Sequence, residues 1–440
     1  MKAIIFRLLC LAAFGGSACG QDFREKIDSL KEYEMDNSRR IEIKDFTLAI
    51  PYGEIKLVRG NLYLTGYRGD RPTAAFFLGE GEFVYRPRDD IEAQQIRRFY
   101  RSDSIRVDFE KIYFAFPEKS RLLESLYNRG TVKKPPYRVR ILFNHIREVP
   151  DSKFKYNLAL NLHKADEEGC DNLVWIDVLK DRYQHTIYYY DPHAPEQVSV
   201  YKYTSNFRQP QVVSSVSDGA IELTRGHAEQ YDLFRYDIDV DVSTTGKSGI
   251  DCMMYCEILA DSVKIARFNF PREFMVDSVG GDVPDTAAFI KDKDRPGLAV
   301  ALSRHFMKGD TVKLSVHYRS NLFRQYMERG VVQENLIGWY PYSGFRQLSE
   351  YTVRYRIDKG LGFLAVGQAV SDSSLDGKRL LEYRSPRPIA YVSFNYGVFD
   401  TTTIADEEVP VTIYSLPGYK SPVFGKGGLE KVTDDLTAAA

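Results

Sequence analysis

The sequence is short of the residues that build metal centres and disulfide frameworks. It has 5 cysteines and 7 histidines in 440 residues. No two histidines lie three to five positions apart, so the paired imidazoles of a helix-borne zinc site, H-E-x-x-H above all, are missing. G-x-S-x-G is also missing, which removes a nucleophile elbow. Net charge is nearly absent: 60 Lys+Arg against 61 Asp+Glu leaves a formal −1. Bulk charge therefore gives no hold on nucleic acid or an anionic membrane. Past the N-terminus no apolar run reaches the ~18 residues that span a bilayer, so no transmembrane segment is expected. Collagen, coiled coil and multi-span membrane protein are excluded. What is plentiful is apolar and aromatic material, 43% and 13% of residues. That is enough for real cores in two to four domains of roughly 100–200 residues.

The N-terminus reads as an address. Lys2 and Arg7 precede an apolar run from Leu8 to Phe14, and small residues lead to Ala18-Cys19-Gly20. This is the pattern of a secretory signal peptide over residues 1–20, and Gly15-Gly16 argues against a buried helix. Cys19 after Ser17-Ala18 keeps a lipid anchor open, so the expected location is periplasmic or cell-surface. Cys170, Cys252 and Cys256 lie in the body. On a strand, Cys252 and Cys256 share a face but stand ~13 Å apart, beyond disulfide reach of one another. Buried free thiols, one disulfide to Cys170 and a metal site all remain open. His227 stands alone beside them.

Short alternating segments fill the body, and they predict an all-β fold: two β-sandwich or saddle-like domains with a few short helices. After a charged lead-in over 21–40, strands are expected at 41–50. A strand pair is expected around Gly60-Asn61, then an apolar run at 74–78 and a turn at Gly79-Glu80-Gly81. Helices are expected at 92–100 and 120–127. Alternation predicts strands at 139–143, 156–162, 173–178, 186–190 and 198–203. A second series starts near Tyr231, where Tyr236, Ile238, Val240 and Val242 alternate with Asp237, Asp239 and Asp241. Strands follow to 411–414, with a polar loop at 282–296. The domain boundary is expected near Asp218–Glu229.

Candidate chemistry is thin. Ser199 and Lys202 match S-x-x-K but sit in an alternating strand rather than at a helix start. Gly79-Glu80-Gly81 lacks the third glycine of a dinucleotide loop. Asp237, Asp239 and Asp241 are spaced like calcium ligands, but Val242 occupies the place of the obligatory glycine, so a solvated strand face is expected. Asp166-Glu167-Glu168 before Gly169 reads as a charged turn. Tyr188-Tyr189-Tyr190 reads as cross-strand packing, with a sugar platform as the rival. No catalytic, cofactor-binding or metal-ligating residue is assigned.

The second series resembles a known family. Tyr236-Asp237-Ile238-Asp239-Val240 through Val279 is similar to the opening strands of the N-terminal β domain of aminopeptidase-N-like zinc metallopeptidases. Gly309-Asp310 with Val312, Leu314, Val316 and Tyr318 resembles its G-[ED]-…-L-x-V-x-Y strand. Gly338-Trp339-Tyr340-Pro341 resembles the W-[YF]-P element that follows. Tyr351-Thr352-Val353, Leu364-Ala365-Val366-Gly367 and Tyr391 to Gly397 complete the order. In the first half, Phe77 to Phe83 with Arg86-Pro87, Glu92 and Phe99 resembles an extra β domain of some exported bacterial members, and Asp191-Pro192 with Pro195 to Val198 fits the same picture.

The resemblance implies four segments: a signal peptide (1–20), an extra N-terminal β domain (21–225), an aminopeptidase-N-like N-terminal β domain (226–425), and a helix start (426–440) leading to a catalytic domain. It also implies that zinc, the general base and the GxMEN-type loop belong to that missing domain, so no family site residue carries over. The expected role is a non-catalytic scaffold that walls a peptide cleft. Its partner would be a catalytic domain of the same longer chain or a separate protein. Trp339, Tyr340 and Phe394 are expected in the core or at that interface. The rival is a stand-alone surface protein binding sugar or protein ligands.

Overall fold

A computed structural model describes residues 23–415, less 31–34, 36–37, 149–151, 181–183, 193–195, 205–209, 217–229, 244–245, 286–287, 292–296, 323–337, 345–346, 361 and 405–410. The expected signal peptide, Cys10, Cys19, His227, the boundary segment and the 426–440 helix lie outside the described residues. The fold is all-β, as the alternation predicts.

The first half is a nine-stranded antiparallel meander in the order β5-β1-β2-β3-β4-β6-β7-β8-β9. Its long strands are β1 (Arg39–Ile50), β2 (Gly53–Thr65), β3 (Ala74–Tyr85) and β4 (Ile105–Ala115). β5 (Thr131–Val132) is the short edge, and β6 (Val174–Leu179), β7 (Gln184–Tyr190), β8 (Val198–Thr204) and β9 (Gln211–Val216) continue the sheet. Helix α1 covers 23–30, followed by α2 (Asp90–Tyr100), α3 (Glu124–Tyr127), α4 (Tyr137–Glu148) and α5 (Ser152–Glu168). Alternate residues of each strand feed two cores. Leu57, Phe77, Phe83, Phe114 and Tyr188 line one face. Tyr63, Phe76, Tyr113, Trp175 and Ile187 line the other, under α1, α4 and α5.

Five expectations are corrected here. Residues 55–67 do not form a strand pair: β2 runs through Gly60 without turning. Gly79-Glu80-Gly81 is no turn either, but a mid-strand irregularity of β3. Gly60 faces Gly79, and a Cβ on Gly79 would lie 2.2 Å from the Arg59 carbonyl oxygen and 2.5 Å from the Gly60 Cα. The glycines permit close backbone approach rather than chain reversal. Residues 139–143 and 156–162 are helical, in α4 and α5. Their apolar residues also satisfy the helical period: Val139 and Phe143 are buried one turn apart, as are Ala159, Leu162 and His163. Asp166-Glu167-Glu168 is the last turn of α5, not a separate turn. Gly169, at φ 76°, ends the helix, and the Cys170 N–H donates to the Ala165 carbonyl at 2.8 Å.

The second half is built on a seven-stranded sheet in the order β13-β16-β11-β10-β17-β20-β19. These strands are β10 (Tyr231–Asp241), β11 (Ser248–Ile258), β13 (Met275–Gly281), β16 (Thr311–Ser320), β17 (Glu350–Asp358), β19 (Gln368–Leu375) and β20 (Lys378–Arg384). Only the β10–β17 pair within it is parallel. A three-stranded sheet, β12 (Ser262–Phe268), β15 (Leu298–Met307) and β14 (Phe289–Ile290), packs on its inner face. β14 thus falls inside the expected polar loop. Two further pairs, β18 (Gly362–Ala365) with β21 (Phe394–Gly397) and β22 (Asp400–Ile404) with β23 (Val411–Ser415), complete the described elements.

The three-stranded sheet belongs to both halves. Phe268, Val300 and Leu302 face the second core. Ile265, Ile290 and Ala299 face the helix layer of the first half. Polar bonds stitch the same seam. The Lys264 N–H donates to Glu168 Oε1 at 3.1 Å, Arg267 donates to Asn161 Oδ1, and Lys164 donates to Gln230 Oε1. Burial holds the Lys164 ammonium below its ordinary pKa, against the opposing pull of Glu168.

A charged trough on the seven-stranded sheet as candidate site

The residues singled out in the sequence are dispersed through the fold. Ser199 is buried on β8, with its hydroxyl 3.3 Å from that of Ser215. Lys202 donates to the Phe99 carbonyl at 2.8 Å and lies over the Tyr100 ring. The S-x-x-K pair is therefore occupied structurally. Tyr188 packs edge-on against Phe83 and Tyr85 and donates to the Pro51 carbonyl. The Tyr189 hydroxyl lies between Asn161 and Asp191, and burial followed by the Asp191 charge raises its pKa well above normal. The tyrosine run is packing, not an exposed platform. Asp166 accepts from the Glu118 N–H at 2.7 Å, and burial pushes its carboxyl up to about 6. Cys170, Cys252 and Cys256 are buried free thiols. Among the described residues no group of three or more His, Cys, Asp or Glu side chains is arranged to hold a metal ion.

Asp237, Asp239 and Asp241 do share the outer face of β10, and there the structure assembles more than the sequence showed. The seven-stranded sheet is curved enough that residues of β16, β11, β10, β17, β20 and β19 line one trough of about 620 Å³. Register places its side chains in rows across the strands. In one row His317 is opposite Asp251, Asp251 opposite Asp239, Asp239 beside Arg354, Arg354 opposite Glu382, and Glu382 opposite Ser371. The next row runs from Gly249 through Asp241, Arg356 and Leu380 to Ser373.

Most of these charges are already paired. Arg354 grips Asp239 through two nitrogens at 2.5 and 2.7 Å, and the guanidinium pKa rises accordingly. His317 Nδ1 lies 2.5 Å from Asp251 Oδ1, and Arg384 lies 2.6 Å from Glu382. At the far edge Arg319 holds Asp277 by a similar fork at 2.6 and 2.8 Å, which lowers that carboxyl's pKa. Asp241 and Arg356 are neighbours in the second row, and neither forms an ion pair among the described residues. The trough offers both charge signs and hydroxyls, the chemistry of polar recognition. It shows no activated nucleophile. Sequence reading found only its Asp239 and Asp241. Outward charges on β11, β16, β17 and β20 carry the signal for the rest, but only once the register aligns them.

The inner side of the same sheet is aromatic. Trp339 and Tyr340 are buried as expected. Trp339 Nε1–H donates to the Val392 carbonyl at 3.0 Å, Tyr318 donates to the Trp339 carbonyl at 2.9 Å, and Tyr236 donates to the Pro341 carbonyl at 3.1 Å. Phe394 stands edge-on to Trp339. The W-Y-P element thus plugs the core. Gly309-Asp310 is the tight turn between β15 and β16, with Gly309 at φ 85° and Asp310 accepting from the Met307 N–H.

No family model and no curated protein sequence matches the chain. Among solved structures it is similar to an M1 zinc metallopeptidase from Deinococcus radiodurans, at 14% identity and a TM-score of 0.35, covering 42% of this chain and 47% of that one. A mutant of that enzyme bound to a Tyr-Ser-Ala substrate gives 14% identity, a TM-score of 0.36 and coverages of 44% and 51%. A two-domain M1 zinc metallopeptidase mutant bound to L-arginine gives 13%, 0.37, 47% and 52%. The chain spans about half the length of these structures.

Proposed function

We propose that this chain is the non-catalytic N-terminal portion of an exported aminopeptidase-N-like metallopeptidase. Its second half docks against a zinc-bearing catalytic domain, in the same longer chain or in a partner protein, and walls that domain's peptide cleft. Zinc and the general base belong to the docked domain. Residues 1–20 direct export. Mass spectrometry of the mature N-terminus distinguishes simple cleavage from lipid attachment at Cys19.

The ordered motifs of residues 230–420 support this reading, because each has a definite place in the second half: turn, strand or core plug. The observation that carries it is an exposed apolar group on that half. Leu348, Val366, Tyr391 and Val398 are all exposed. The backbone brings three of them to one region. Leu348 adjoins the Ser349–Ile389 bridge, two residues from Tyr391, and the Val366 N–H donates to the Ser393 carbonyl at 3.0 Å. A docking face without its partner leaves such side chains in water.

The test is the coding sequence after Ala440, with an aminopeptidase assay of its product. An H-E-x-x-H with a downstream Glu, and zinc-dependent release of N-terminal amino acids, is expected. A stop codon there, with no peptidase that binds the 440-residue chain, overturns the proposal. The trough favours the second reading, a stand-alone binding protein. Saturable binding of a sugar or peptide that is lost in Arg356→Ala, together with that stop codon, would establish it.

A further inference from the structure

Among the described residues, the edge of β19 is the longest fully exposed end of a large sheet. Other ends of the three larger sheets are guarded. β5 and β14 are two residues long, β9 lies beside α2, and β12 packs on α5. β13 is partly covered: Val279 is buried, and Val276, Ser278 and Gly280 are half-buried. Such devices keep edges from pairing with other chains. β19 has eight residues, every one exposed, with no lysine, arginine or proline. Its single charge, Asp372, is held by Arg379 at 2.5 Å. A register slip between Ala369 and Ser371 leaves Ser371 to Leu375 regular.

We propose that a second copy of this chain adds to this edge, β19 against β19, antiparallel about a two-fold axis through Ser373. The choice of Ser373 follows from geometry. A two-fold axis normal to the sheet pairs residues on the same face, so one residue must sit on the axis and oppose itself. Centring on Asp372 sets two carboxylates face to face, which destabilises the pairing. Centring on Ser371 draws in the irregular segment before it. Centring on Ser373 sets Asp372 opposite Ser374 and Ser371 opposite Leu375, with no like charges opposed. Ser371 and Ser373 form the rim of the trough, so the pairing joins the two seven-stranded sheets and runs the two troughs into one.

The test uses the full 440-residue chain and two substitutions at an exposed position. Light scattering after size exclusion should show a dimer that dissociates on dilution. Ser373→Asp places two carboxylates on the axis and should give a monomer with an unchanged circular dichroism spectrum. Ser373→Cys should give a covalent dimer on mild oxidation, because Cβ atoms opposed across an antiparallel pair lie about 4.5–5.5 Å apart. Ser371→Cys should not, and the wild-type chain serves as the blank. A wild-type monomer at the highest attainable concentration, or a dimer that survives Ser373→Asp, overturns the proposal.

Discussion

Trp339 allows the second core and the seam between the halves to be tested together. The chain has 2 tryptophans, and the other, Trp175, lies in the helix-facing core of the first half. Trp339→Phe removes the Nε1–H donor from the Val392 carbonyl and opens space beside Tyr340 and Phe394. A buried acceptor left unpaired costs about 1–3 kcal/mol. The lost ring adds part of the ~3–5 kcal/mol of a full truncation to alanine. A total of about 2–4 kcal/mol is expected, a fall in urea midpoint of roughly 1 M at a slope of about 3 kcal/mol/M. In the variant Trp175 alone reports by fluorescence, while circular dichroism follows both halves. Because Ile265, Ile290 and Ala299 pack into the core that contains Trp175, both signals should shift together. A circular dichroism curve that splits in two, with the Trp175 transition at the later step, would refute the coupling. An unmoved midpoint would refute the role of Trp339.

Three more outcomes are expected. Gly79→Ala drives a methyl into the Arg59 carbonyl and the Gly60 backbone, and should lower the melting temperature more than an alanine at exposed Gly69, where φ is +58° but no atom lies within 4 Å. Asp166→Asn should raise the melting temperature above pH 6, because the folded carboxyl, held at about 6, resists the ionisation that the unfolded chain allows. That gain should shrink as pH falls from 6 towards 4 and vanish below, as the wild-type carboxyl protonates in both states. A gain that grows on acidification would exclude this origin. Arg354→Ala should cost less than about 1 kcal/mol, since its ion pair with Asp239 is solvent-exposed, and the difference should narrow in high salt.

The legibility of this fold depended on whether one local period had a rival. β16 alternates cleanly against polar neighbours, as does β10 from Tyr236 onward against its acids, and their spans are close to the expected ones. In 156–162 the leucines at 158, 160 and 162 mimic a strand, while Ala159, Leu162 and His163 also make a helical stripe, and packing against β12 decides for the helix. β19 carries no period to read, because nothing along it is buried. Gly60 and Gly79 looked like turns because close approach between strands leaves the same mark on a sequence as chain reversal. The trough was half visible. Its acids on β10 were singled out, but the partners lie on strands up to 115 residues away and meet them only through the register.

The bonding of the W-Y-P loop bears on how this protein can vary over time. The donors to the loop's carbonyls, Tyr236 and Tyr318, lie on two different strands, 105 and 21 residues from the carbonyls they serve, and the Trp339 acceptor at Val392 is 53 residues away. All three bonds run from a side chain to a backbone carbonyl, outside any strand ladder. Drift at any one of them therefore leaves a buried polar group stranded unless the loop changes too. Natural variants of this chain should keep the loop and its distant tyrosines together, or lose them together.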